Sequence, residues 1–529
     1  IEKLDYLNRL GVNLLWLCPV YQSPMDDNGY DVSDYYDIAP DFGTMDDVKE
    51  LLAEAKKRGI RIVMDLVLNH TSDEHPWFVE ARQSLDNPYR DYYIWQEGKL
   101  DKEGNEIEPT NWASFFTPSC WDKDELTDEY YMHIFSKKMP DLNWSNEAMR
   151  QELYHMVKWW LDLGIDGFRV DAIAHIEKDW DFEDSTLESE GQYKQDWKKF
   201  SNLPKVHTYL KELNKEILSK YDIFTVGEVG GGAGVEDALK YAAYDSQELD
   251  MVFTFDHCWA NGAFGGVKGE LDLVELKSEF AKWQVGLYGK GWNPLYWLNH
   301  DHPRVMSQYG NEENYHEESG KMLATSLLFM WGTPFLYNGE EIGMTNAHYV
   351  DFNDYRDVAT IEKIQALLEK GHTEEEVRSI VGTTSRDNAR TPMQWDATEN
   401  AGFTTGTPWM KVNENYKTIN VASQLEDANS IFNHYRQAIA LRRNSEYQDV
   451  IVYGKYDLLL EDDKQVYAYT RTLNNQCLLI VSNFFETKVE VSIEKLTAEK
   501  IVLSNYKDSD MALDSLVLRP YESIVFEVK

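Results

Sequence analysis

Basic residues are scarce in this 529-residue chain: 52 Lys and Arg stand against 92 Asp and Glu, a formal net charge of -40. A surface of that sign repels phosphates, which argues against nucleic acid and anionic membranes as partners. Cysteine is scarcer still. Cys18, Cys120, Cys258 and Cys477 lie far apart with no C-x-x-C spacing, so a disulfide framework is not expected, and they read as free thiols in a reducing, cytoplasmic setting. No His-x-x-x-His or Cys/His spacing occurs, which makes a zinc site a poor reading, and no metal ligands are assigned. A run long enough to span a bilayer, about 18 apolar residues or more, is also lacking. The nearest stretch, 322–337, is broken by Thr325, Ser326, Gly332, Thr333 and Pro334 and reads as a buried helix running into a strand. The chain shows neither a Met at position 1 nor a signal sequence.

What is present fits a globular protein: 43% hydrophobic and 27% charged residues. The 17 Trp and 32 Tyr supply flat ring faces that suit sugar rings as well as cores. Helical spacing over 3–10 is followed by an apolar run over 12–19, an amphipathic helix over 46–58 closed by Gly59, and a second apolar run over 60–70. Strand, helix, strand at this spacing predicts parallel β/α units. After 71–140, which lacks regular alternation, the rhythm resumes with helices over 146–163, 204–218, 272–287 and 317–331. Strands are expected over 165–171, 224–229, 249–256, 295–300 and 334–338. Seven strands, each running into polar or acidic residues at its C-terminal end, predict an α/β fold, the (β/α)8 barrel, whose active site lies on the loops after the strands. One strand is unaccounted for and is expected upstream of residue 1.

The expected organisation is therefore a catalytic barrel in two parts, 1–70 and 141–445. An inserted lobe over 71–140 follows the third strand, an irregular insertion fills 339–420, and short alternating strands over 446–529 form a C-terminal antiparallel β-sandwich.

Three acids, Asp171, Glu228 and Asp301, sit at three strand ends. In a strand Arg169 and Asp171 share a face, and a guanidinium beside a carboxylate holds it ionised; taken alone, the pair is equally an ion pair closing a strand. Glu228 has apolar and glycine neighbours, so desolvation is expected to keep it protonated. A protonated acid opposite an ionised one is the pair that glycoside hydrolysis requires. His70 and His300 end two of the strands beside acids, where neutral imidazoles could hydrogen-bond sugar hydroxyls.

Asp65-Leu-Val-Leu-Asn-His70, Gly167-Phe-Arg-Val-Asp171, Val226-Gly-Glu228 and Asn299-His-Asp301 resemble, in order, the four signature segments of the α-amylase family of glycoside hydrolases, family 13. Met139-Pro-Asp-Leu-Asn-Trp144, Asp26-Asp-Asn-Gly-Tyr30 and Ser385-Arg-Asp-Asn-Ala-Arg-Thr-Pro-Met-Gln-Trp395 resemble its oligosaccharide α-glucosidase branch: oligo-1,6-glucosidases, dextran glucosidases and maltases. The resemblance implies a retaining, exo-acting α-glucosidase that takes short α-1,4 or α-1,6 gluco-oligosaccharides. Asp171 is then the nucleophile, Glu228 the acid/base and Asp301 the transition-state stabiliser. Asp27, Tyr30, His70, Arg169, His300 and Arg390 are implied to line the terminal-glucose subsite, with Phe116 and Trp121 as weaker wall candidates; Asp27 alone would read as a solvated turn residue. No cofactor is required. Calcium is compatible with the family, but its acidic loop would lie upstream of residue 1. The partner is a small oligosaccharide, and a monomer is expected.

Two positions depart from the pattern of α-1,6-cleaving members. Ala172 stands where they carry Val, and Asp357-Val-Ala-Thr360 stands where they carry Asp-Val/Ile-Glu-Thr. Both changes remove bulk or charge from the leaving-group side, which points to a maltase-like or broad α-glucosidase. Glucosyl-transferring relatives, transglucosidases and sucrose isomerases, share the catalytic residues. The isomerases carry an Arg-rich loop where this chain has Lys268-Gly-Glu-Leu-Asp-Leu-Val274. A trehalose-6-phosphate hydrolase would need a basic phosphate-binding cluster, and the sequence offers none.

Overall fold

The computed structural model describes residues 1–189, 191–262 and 269–529. Lys268, the first residue of the segment set against the isomerase loop, lies outside them. The chain divides into two units, one of residues 1–8 and 12–254, the other of residues 9–11 and 255–529.

The first unit is built on five parallel strands: Leu14–Leu17 (β1), Arg61–Val67 (β2), Gly167–Asp171 (β3), Phe224–Glu228 (β4) and Met251–Phe253 (β5), hydrogen-bonded in that order. Because all five run the same way, their C-terminal residues gather on one edge, where open α/β sheets place their ligands. Arg169 of β3 lies opposite Asp65 of β2 in register, so both side chains take the same face. Gly167 is required where β3 meets β4: its φ is +144°, and a Cβ there would fall 1.9 Å from the Phe224 carbonyl oxygen.

Helices Met45–Lys57 (α1), Glu147–Leu163 (α2), Val206–Glu216 (α3) and Val235–Ala242 (α4) connect the strands. In α2, Met149, Leu153, Met156, Val157 and Trp160 are buried along one stripe, each fully covered aliphatic side chain contributing about 1.5–3 kcal/mol. Asn146 caps its first turn and Gly164, at φ +111°, ends it. The eight-residue α4 escaped the sequence reading because glycines at 230–232 and 234 precede it and it offers barely two turns of periodicity.

The inserted lobe is more ordered than its sequence predicts. It holds a helix, Pro76–Ala81, and a three-stranded antiparallel sheet of Trp95–Gln96, Tyr130–Met132 and Trp121–Lys123. Its core of Ile94, Trp112, Cys120, Trp121, Met132 and Ile134 also takes in Phe200, with Phe182 and Trp197 packed against it. The lobe therefore extends beyond 71–140 and recruits part of the segment after β3, tied by an Ala113 N–H to Lys194 carbonyl bond of 2.9 Å.

The second unit contains a short parallel pair, Pro294–Leu295 (β6) and Thr333–Pro334 (β7). Only the opening residues of the expected 295–300 and 334–338 strands pair, and the chain leaves the ladder before Asn299. Around them lie Leu273–Leu287 (α5), His316–Leu328 (α6) and, in the supposedly irregular 339–420 segment, two contacting helices, Val358–Glu369 (α7) and Glu374–Thr384 (α8). Asp357 caps α7 and Thr373 forms a capping box on α8. Ile431–Asn444 (α9) leads to the C-terminal strands Lys455–Leu459 (β8), Val466–Leu473 (β9), Gln476–Asn483 (β10), Ala498–Ser504 (β11) and Ser523–Val528 (β12). They form one antiparallel sheet, order β8-β9-β10-β12-β11. In place of a second full sheet, the small ribbon Val489–Val491 with Leu516–Leu518 shares the core of Leu479, Val481, Ile524 and Phe526.

Candidate active site

Arg169 organises the polar edge of the first unit. Wholly buried on β3, it donates from one terminal nitrogen to Asp171 at 2.6 Å and to Asp65 at 3.0 Å, and from the other to Glu228 of β4. Asp65 also accepts from Trp16 Nε1 at 3.0 Å and from the Tyr30 hydroxyl at 2.8 Å, and the guanidinium carbon lies 4.9 Å from the Trp16 ring centre. Three carboxylates thus meet one guanidinium.

That balance corrects the expectation that Arg169 serves Asp171 alone while apolar neighbours surround Glu228. Glu228 is partly exposed and shares the cation. Asp171 is the buried member: burial, with the Glu228 and Asp65 charges, pushes its carboxyl above the usual range against the pull of Arg169. The reason is positional, since β3 is central in the sheet and its last residue is covered, whereas Glu228 closes a strand beside the three-residue β5. Ala172, directly after Asp171, holds φ +45°.

His70 is buried between Asn69, whose side-chain nitrogen lies 3.2 Å from Nδ1, and the Tyr30 carbonyl, 3.2 Å from Nε2. Burial lowers its pKa to about 3, so the ring is neutral at working pH. Asp27 is buried in the 23–31 turn, where its carbonyl accepts from Tyr30 N–H. Phe116 packs on Phe135, which stands edge-on to His70 at 5.3 Å. Trp121 is not a wall residue: it is buried in the lobe core, its indole N–H on Thr110. Beneath His70, the buried Lys178 ammonium joins Asp141 and Asn69, each at 3.0 Å, and the His175 carbonyl, fastening the lobe stem to the strand ends.

The second unit holds a cluster of different charge balance. Asp301 receives His300 Nε2 at 3.1 Å, Arg386 at 3.1 Å and Arg390 at 2.8 Å. Both guanidiniums also reach Asp357, whose other oxygen caps α7 through Thr360. Burial acts to raise the Asp301 carboxyl, but His300, Arg386 and Arg390 outweigh it and hold the acid well below the usual carboxylate range. Arg390 further donates Nε to the His300 carbonyl at 2.9 Å.

Asp65, Arg386 and Asp357 did not emerge as candidate side chains from the sequence, and Lys178 went unnoticed. Asp65 carried a usable signal, a charge inside an otherwise apolar strand, which needs a buried partner. Arg386 and Asp357 lie in two of the family-like segments, but nothing local pairs them, because their meeting depends on the fold of the 351–390 segment. Among the described residues no group of His, Cys, Asp and Glu is arranged to hold a metal ion, and no helix is long and apolar enough to cross a membrane.

Comparison with known proteins gives the family. Residues 1–454 match the family described as alpha amylase, catalytic domain, and 466–525 match the alpha-amylase SusG C-terminal domain. The oligo-1,6-glucosidase of Parageobacillus thermoglucosidasius is 50% identical over 537 residues, covering 100% of this chain and 94% of the relative. Among solved structures, Bacillus licheniformis trehalose-6-phosphate hydrolase superposes with a TM-score of 0.92 at 44% identity. Erwinia rhapontici isomaltulose synthase gives 0.94 at 40%, and both matches cover 100% of this chain and 94% of the other. On the catalytic-domain match and the full-length likeness together, the chain belongs to the alpha-amylase family of glycoside hydrolases.

Proposed function

We propose that this protein is an exo-acting, retaining α-glucosidase that releases terminal glucose from short α-linked gluco-oligosaccharides by double displacement. Strands β1 to β7 are read as strands of the family's (β/α)8 barrel. The observation that carries the reading is the sharing of one buried guanidinium by Asp171 and Glu228. Two carboxylates held on the terminal nitrogens of one Arg are drawn close together, which supports the short spacing of a retaining pair, about 5–5.5 Å, over the ~6.5–9.5 Å that admits a water between them.

With three acids on one cation, burial keeps the Asp171 carboxyl raised, so it holds a proton more readily than a free carboxylate. In the productive form that proton sits on Glu228. Asp171 then attacks the anomeric carbon while Glu228 protonates the departing glycosidic oxygen, giving a glycosyl ester on Asp171. Glu228, now a carboxylate, takes a proton from water, whose oxygen attacks the same carbon and frees Asp171. Asp301, kept ionised by its two Arg and His300, is assigned to bind sugar hydroxyls as the ring flattens. Asp27, Tyr30, His70, His300 and Arg390 are assigned to the terminal glucose, with Phe116 as a wall residue.

For linkage, the named relative's α-1,6 activity and the small Ala172 and Ala359 on this chain pull in different directions. The combination is read as a broad specificity that includes α-1,4 bonds. Glucose release from maltose and isomaltose tests it: turnover of both within about tenfold is expected, and activity confined to isomaltose overturns it.

A further inference from the structure

Three residues beyond Asp301 lies a buried cation that makes no ion pair among the described residues, although Glu340 and Glu341 act on it through their charge. Arg304 is 1% exposed, and all three of its guanidinium hydrogen bonds go to backbone carbonyls: Nε to Asn388 at 3.2 Å, one terminal nitrogen to Asn338 at 2.5 Å and the other to Ala389 at 3.0 Å. Tyr337 supports the same arrangement. Its ring stacks on the guanidinium at 5.2 Å, and its hydroxyl donates to the Ala389 carbonyl at 3.0 Å. The Arg304 backbone N–H is fixed in turn by the Asn346 side chain at 2.9 Å.

Stability alone is a poor reason for such a residue. Taking a guanidinium out of water costs several kcal/mol, and apolar chains of similar volume often serve a fold as well or better. An apolar chain cannot, however, hold three carbonyls from two other segments. The two carbonyls at 388 and 389 immediately precede Arg390, which closes back on the His300 carbonyl and on the Asp301 carboxylate. The 299–304 and 388–390 segments are thus cross-linked twice, by Arg390 at the acid and by Arg304 behind it. Removing the rear link leaves Arg390 able to slide relative to Asp301, and misplacement of about 1 Å can cost 10²-fold in rate.

We propose that Arg304 is a positioning residue of the reaction, holding Asp301 and Arg390 in register without touching substrate. The inference rests on the assignment of Asp301 to transition-state stabilisation.

The test uses the full chain and p-nitrophenyl α-glucoside, comparing Arg304→Met, Arg304→Lys and Tyr337→Phe with wild type and with Asp301→Asn. Arg304→Met is expected to lose about 10–100-fold in kcat with KM within about threefold and the melting midpoint retained, because only the transition state uses the register. Arg304→Lys should recover part of the loss, since an ammonium still donates to carbonyls. Tyr337→Phe, which removes one donor from Ala389, should lose about fivefold in kcat. Should Arg304→Met fail to fold, the Tyr337→Phe result decides. A folded Arg304→Met or Tyr337→Phe with wild-type kcat, or a loss lying wholly in KM, overturns the proposal while Asp301→Asn remains impaired. Wild-type kcat in Asp301→Asn overturns the underlying assignment instead.

Discussion

The Arg169 cluster and the Asp301 cluster are made from the same side chains in opposite proportion. Around Arg169, three carboxylates compete for one guanidinium. Around Asp301, two carboxylates share two guanidiniums and an imidazole. Asp171 is buried and Asp301 partly exposed; the first is raised above the ordinary carboxylate range and the second is held well below it. Burial pushes both carboxyls up, and the cations within reach act against it: one guanidinium divided among three acids leaves Asp171 raised, while Arg386, Arg390 and His300 bring Asp301 down. One cluster suits proton traffic and covalent chemistry, the other a permanent negative charge.

The largest expected effect comes from the first cluster. Asp171→Asn should lower kcat by about 10⁴-fold or more on removal of the nucleophile, yet stabilise the fold at neutral pH. A carboxyl raised in the folded state binds its proton more tightly there than when unfolded. Its stabilising contribution is complete below the unfolded value, about 3.9, and is lost as pH rises through the folded value. Melting midpoints taken from pH 4 to 8 should show Asp171→Asn gaining on wild type as pH rises, and a constant gap would break the comparison.

Asp301→Asn should act in the other direction. Its kcat falls by about 10²–10³-fold, and the variant should melt below wild type at pH 7. A depressed carboxyl contributes stability that is present above about pH 3.9 and is lost only as pH falls through its lower folded value. If both Asn variants shift the melting midpoint with the same sign, the opposition between the clusters is wrong.

The smallest effect sharpens substrate preference. Ala172 sits at φ +45°, a region that costs an L-residue about 1–2 kcal/mol and a β-branched one more. Ala172→Val should lower stability by about that amount and, by adding bulk after the nucleophile, reduce turnover of maltose more than that of isomaltose. A variant that leaves the ratio of the two rates unchanged would remove position 172 from the specificity argument.

The Arg169 cluster was the more legible of the two in the sequence. Its members lie on adjacent parallel strands, so period-two alternation and the strand ends already place Arg169, Asp171 and Glu228 together, although the sharing of the cation by Asp65 and Glu228 required the register. The parallel β/α rhythm was equally visible because each strand is an apolar run bounded by turn residues. The Asp301 cluster was half hidden. Asp301, His300 and Arg390 stood out in motifs, but Asp357 and Arg386 come together only through the α7–α8 pair, whose sequence looked irregular between polar flanks. The lobe boundary failed for a related reason: Phe182, Trp197 and Phe200 join its core from beyond β3, and local sequence carries no mark of long-range packing.

Asp171 and Glu228 are proposed to work as a retaining pair, and the anomeric form of the first glucose released reports on this directly. Proton NMR of maltose hydrolysis, followed before mutarotation sets in, should show α-glucose appearing first and the β-anomer growing only later. Initial release of β-glucose would mean a single displacement by water and would contradict the assignment of Asp171 as nucleophile.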